Sequence, residues 1–176
     1  QTNVVEGELG EGTGGVTESL RRRIVLPLAG SLAATDHVIG HELVHAFQFD
    51  ITAKAQRSTA SGTNGAQQLP LWFVEGMAEY LSLGPADAQT AMWLRDAVAH
   101  EALPSVDRLD DPKYFPYRWG HALWAYVAGR WGEAAMVTAL REAGRSGSAQ
   151  ASLASTLGVT TKELSAAWHG ALAETY

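Results

Sequence analysis

The chain has 176 residues, no cysteine, a formal net charge of −6 at pH 7 and 46% hydrophobic residues. That apolar content suits a globular core rather than a disordered chain. The acidic balance excludes nucleic acid as a main partner, because phosphate binding needs a basic stripe. Without cysteine there is no disulfide, no thiolate nucleophile and no thiolate metal site, so any metal must be held by imidazole and carboxylate.

No apolar run approaches the ~20 residues of a membrane span, and no signal peptide is visible. The opening on Gln1 reads as that of a mature or excised segment. The length predicts one domain over 1–176. Residues 7–15 are glycine-rich and predict irregular chain or the lead-in to a hairpin. The run Arg22-Arg23-Ile24-Val25-Leu26-Pro27-Leu28 has the β-branched, apolar character of a strand, and Pro27 points to an edge or an end.

Helix patterns fill the remainder. Thr35 or Asp36 can cap a helix over 37–54, with Val38, Leu43, Val44 and Phe47 at helical spacing. Small polar residues over 55–68 predict a long connection. Pro70 suits the first turn of a helix that stops before Gly84-Pro85. Further helices fit 86–100, 117–131, 133–143, 149–157 and 161–175, and 103–116 reads as loop with one turn. The predicted fold class is therefore mainly α with a small β-sheet (α+β).

His41-Glu42-Leu43-Val44-His45 lies inside the first helix. Residues four apart sit one above the other with Cβ atoms roughly 5–6 Å apart, so both imidazoles can reach one zinc ion at about 2.0–2.1 Å. Glu42 is rotated off that pair and flanks the open side, where a carboxylate can take a proton from an activated water. On the next helix Glu75 and Glu79 are again four apart, on an otherwise apolar face. Carboxylates there need partners. Zinc would serve for Glu75, while Glu79 could accept a hydrogen bond from His41 or His45 and fix its tautomer.

The histidine–glutamate helix followed by Trp72-Phe73-Val74-Glu75-Gly76-Met77-Ala78-Glu79-Tyr80 resembles the gluzincin zinc peptidases, and among them the bacterial peptidase MA-like domains, over about 22–132. That resemblance implies a zincin-like metallopeptidase domain with an active-site helix and a helical C-terminal part. It implies one zinc ion on His41, His45 and Glu75, Glu42 as general base, and Glu79 as the carboxylate behind the histidines. Tyr117-Arg118-Trp119-Gly120 looks like the family's Y-x-x-G segment, which implies Tyr117 as oxyanion donor, with Tyr114 and His121 as alternatives. The glycine- and acid-bearing strand by which aminopeptidase members recognise a free amino terminus, G-x-M-E-N, has no counterpart here, so exopeptidase activity is not expected.

His37 lies four residues before His41 and reads better as a supporting or surface residue than as a third helical ligand. His100 and His169 are expected near helix C-termini, complementing the dipole. The expected activity is hydrolysis of peptide bonds in a peptide or protein substrate. Two alternatives stay open: a zinc hydrolase acting on something other than peptide, and a binding or assembly module with little turnover. The resemblance also implies an exported bacterial protein, with a β-propeller domain in the same full-length chain.

Overall fold

The computed structural model describes residues 15–18, 23–26, 31–57 and 69–176. The expectations for 7–14 and 58–68, and for the flanks of the predicted strand at 22 and 27–28, lie outside these residues. Val16–Glu18 (β1) and Arg23–Val25 (β2) pair antiparallel, Val16 opposite Val25 and Glu18 opposite Arg23. Arg23 also donates from Nε to Glu18 Oε2 at 2.8 Å, a cross-strand ion pair of the kind that holds register. β1 was not anticipated: three residues are too few for alternation to be read.

Among the described residues the helices are α1 (Leu32–Arg57), α2 (Leu71–Leu83), α3 (Ala88–Ala99), α4 (Pro116–Trp131), α5 (Glu133–Ser146), α6 (Ala149–Leu157) and α7 (Thr161–Thr175), with a 3-10 turn at Val106–Arg108. None is long and apolar enough to cross a membrane. Several boundaries are written locally. The Asp87 carboxylate accepts from the Thr90 amide at 2.7 Å and starts α3 two residues later than expected. Thr160 and Glu163 form a reciprocal capping box on α7. Gly147 and Gly158 adopt left-handed conformations, φ 70° and 69°, and end α5 and α6.

α1 departs from expectation in two ways. It begins at Leu32 rather than His37, because Ser31, not Thr35 or Asp36, supplies the cap: its hydroxyl accepts from the Ala34 amide at 3.2 Å. Its inner face is also polar. His41, Glu42, Gln48, Thr52 and Ala55 are the buried residues, while Leu43 and Phe47 are 45% and 64% exposed. Of the apolar residues whose spacing suggested a core face, Leu43 and Phe47 thus lie outward, and Val44 packs against the core from a half-buried position. The inward polar groups are tolerated because they are hydrogen-bonded: His41 and Gln48 to α2, Glu42 to β1, and Thr52 to the Gln48 carbonyl of its own helix.

The core lies between α2, α4, α5, α6 and α7, around the fully buried Trp72, Phe73, Trp124 and Trp168. Trp72 donates to Asp110 Oδ1 at 2.7 Å and Trp124 to the Phe73 carbonyl at 2.9 Å. α2 and α4 cross glycine on glycine. A Cβ on Gly76 would stand 2.3 Å from the Gly120 backbone, and one on Gly120 would stand 2.1 Å from the Trp72 carbonyl oxygen. This crossing sets Glu75, one residue from Gly76, against Tyr117, one turn before Gly120. Similarly, α5 runs through Gly144 instead of stopping at 143; a Cβ there would stand 3.0 Å from the Thr52 Cα, so this glycine serves the contact with α1 rather than ending the helix.

Candidate metal centre

α1 carries His41 and His45 one turn apart, and α2 brings Glu75 between them. His41 Nε2 and His45 Nε2 are 3.0 and 3.1 Å from Glu75 Oε2, and 3.1 Å from each other. Ligands at about 2.0–2.1 Å from a tetrahedral zinc stand about 3.3 Å apart, so this triangle has nearly the size such an ion requires. All three residues are largely withdrawn from solvent, with side chains 11–15% exposed.

The protons of the triangle can be assigned from its surroundings. Gln48 is buried, and its amide nitrogen donates to the Val74 carbonyl at 2.8 Å. A carbonyl only accepts, so the Gln48 oxygen is the atom facing His45 Nδ1, at 2.8 Å. His45 Nδ1 must then carry a proton, and a ring protonated there alone turns a bare Nε2 lone pair toward Glu75. Two acceptors 3.1 Å apart repel one another, and a cation between them relieves that repulsion. The residues present thus fit a divalent metal by distance, by donor type and by tautomer.

Glu79 lies behind His41. Its Oε1 is 3.1 Å from His41 Nδ1 and 3.3 Å from His37 Nε2, and its Oε2 is 3.1 Å from an Arg118 nitrogen. The His41 and Arg118 contacts are close enough for ion pairs but too bent for straight hydrogen bonds, since His41 Nδ1 and Glu79 Oε2 have no aligned partner. Arg118 is held in turn by the α3 cap, donating to Asp87 Oδ2 at 3.1 Å. Burial works against a charged His41, yet Glu75 and Glu79 outweigh it and raise its pKa to about 9. Burial likewise opposes a charged Glu75, but the two imidazoles against its Oε2, with the hydrogen bond from His41 foremost, lower its pKa to about 2. His37, His41 and Glu79 form a second group with metal-ligand proximity. There the Arg118 guanidinium already compensates the carboxylate, which leaves His41, His45 and Glu75 as the better-suited site.

Glu42 is 6% exposed, and its carboxylate meets the hairpin. Thr17 donates to its Oε2 at 2.6 Å. Gly15 abuts it so closely that a Cβ there would stand 2.7 Å from Glu42 Cγ. β1 therefore orients this carboxylate. Tyr117 lays its ring on that of His41, centroids 6.0 Å apart and planes within 17°. Burial first, then Glu75, Glu79 and Glu42, push its phenol well above the ordinary range, so it stays a hydroxyl donor.

Of the alternatives to Tyr117, neither is placed at this centre by the contacts it makes. Tyr114 packs edge-on against Trp119, and His121 is buried with Nε2 donating to the Gly84 carbonyl at 2.9 Å. His100 is the C-cap of α3, but His169 sits inside α7 and donates to the Pro104 carbonyl at 2.8 Å, contrary to the terminal position expected. Sequence reading missed Gln48, Thr17, Gly15 and Arg118. Only Gln48 left a signal, its three-residue spacing from His45 on one helix face.

The family described as a peptidase of plants and bacteria matches residues 25–168, a span that includes every residue of α1 to α6. No curated protein and no solved structure matches the chain.

Proposed function

We propose, since this chain belongs to the family of peptidases of plants and bacteria, that it is a zinc-dependent peptidase of the gluzincin type. The observation that carries this reading is the meeting of His41 Nε2, His45 Nε2 and Glu75 Oε2 within 3.0–3.1 Å of one another. These three residues would hold the ion. When bound, zinc polarises a substrate carbonyl and lowers the pKa of water toward ~7.

The chain's own groups divide the remaining work. Glu42, oriented by Thr17, takes the proton from the attacking water and delivers it to the leaving amine. Tyr117 keeps its proton and donates a hydrogen bond to the oxygen on which charge develops. Gln48 and Glu79 fix the rings of His45 and His41 from behind. The substrate is a peptide or protein, and the resemblance to exported gluzincin domains supports an exported setting.

The test is cleavage of an unfolded protein such as casein by the zinc-supplied chain. Glu42→Gln is expected to lower turnover by about 10²–10⁴-fold, and Tyr117→Phe by about 10²–10³-fold, with both variants still folded. Turnover that survives Glu42→Gln would remove the general base from the account. Absence of cleavage in the zinc-supplied wild type would count against the peptidase reaction itself.

A further inference from the structure

Aromatic rings run outward from the metal centre in sequence. Beyond the pair of His41 and Tyr117, the Tyr117 and Phe115 rings stack with centroids 5.2 Å apart and planes 29° apart. Phe115 and Trp93 follow at 5.7 Å and 35°. The inner rings are at least partly buried, but Phe115 is 44% and Trp93 37% exposed.

Neither outer ring belongs to the buried core. Phe115 occupies the N-cap of α4 and makes no capping hydrogen bond there, at a position where Ser, Thr, Asp or Asn stabilises a helix. Trp93 stands on the outside of α3, whose buried residues are Thr90, Leu94 and Ala97. Two exposed aromatic side chains in contact form an apolar patch of the kind that marks a binding surface. Their continuity with Tyr117 places that patch beside the reacting centre.

We propose that Trp93 and Phe115 form a shelf for an aromatic or large aliphatic side chain of the substrate, close to the scissile bond. The proposal rests on the peptidase reading and adds to it the class of peptide preferred. Flat rings offer large contact area at small cost in side-chain freedom. A peptide with an apolar residue at this point binds better than one with glycine, and the preference is carried by the two rings.

The probe is a pair of end-capped hexapeptides identical except for one central residue, phenylalanine or glycine. Binding is measured by calorimetry to the zinc-supplied full chain bearing Glu42→Gln, so that turnover does not intrude. The phenylalanine peptide is expected to bind about ten-fold tighter or more. Adding Phe115→Ser, which installs a favoured N-cap, or Trp93→Ala, which installs a strong helix former, should bring the ratio toward one. Circular dichroism of each variant checks that the fold is kept. Equal affinities for the two peptides, or a preference that survives both substitutions, would overturn the shelf. Cleavage by the zinc-supplied wild type is scored separately. Cleavage of both peptides at equal rates overturns the shelf alone; cleavage of neither overturns the peptidase reading and the shelf's role with it.

Discussion

His45 keeps its proton on Nδ1 because the Gln48 amide, committed to the Val74 carbonyl, presents only its oxygen. Replacing Gln48 by Leu removes both hydrogen bonds at similar volume and lets the ring take either tautomer. Zinc affinity is expected to fall about 10–100-fold, read by competition with a chromogenic chelator; unchanged affinity would deny Gln48 this role. A second consequence concerns His41 and Glu75 without metal. Glu75 is lowered to about 2 from 4.5, so its contribution is present above 4.5 and is lost as pH falls toward 2. His41 is raised to about 9 from 6.5, so its contribution is present below 6.5 and is lost as pH rises through 9. The metal-free chain should therefore be most stable between about pH 4.5 and 6.5, in thermal melts across pH. His41→Asn should flatten the alkaline limb, and a wild-type maximum above pH 9 would contradict the ion pair.

At the scale of elements, the glycines within Glu75-Gly76 and Tyr117-x-x-Gly120 are the contact surface of α2 on α4. Each motif thus contains the residue that lets the other approach. Gly76→Ala must push the Gly120 backbone aside and is expected to cost about 3 kcal/mol, or roughly 10 °C in melting temperature. A loss below about 1 kcal/mol would mean that the helices have room to separate. This contact also explains part of what could be read in advance. Helix ends were legible where a local signal makes them, as at Thr160, Gly132 and Gly158. The start of α1 was not, because three possible caps stand close together and Ser31 takes the role; β1 is too short to show a period; and the passage of α5 through Gly144 answers to Thr52, remote in sequence.

Across the whole molecule, the candidate centre ties α1 to α2 through residues 30 and 34 positions apart. Its convergence was legible because helical spacing aligns His41 with His45 and Glu75 with Glu79. The atoms that aim those residues were not legible: Thr17 reaches Glu42 from 25 residues away, and Arg118 reaches Glu79 across the α2–α4 contact. The polar inner face of α1 hid for the same reason, since His41, Gln48 and Thr52 are buried only because α2 and α5 satisfy or cover them. An ion joining these helices should stabilise the entire fold. At free zinc about 1,000-fold above its Kd the gain is about 4 kcal/mol, so chelation should lower the melting temperature by roughly 10 °C. A melt indifferent to chelator would contradict such a tie.

The central claim is that His41, His45 and Glu75 together hold one zinc ion. It is tested most directly by elemental analysis of the purified, dialysed wild type beside Glu42→Gln and Glu75→Ala. The account predicts about one zinc per chain in the wild type and in Glu42→Gln, and a small fraction of that in Glu75→Ala. A wild type without stoichiometric zinc, or a Glu75→Ala chain that retains it in full, would contradict the account at its base.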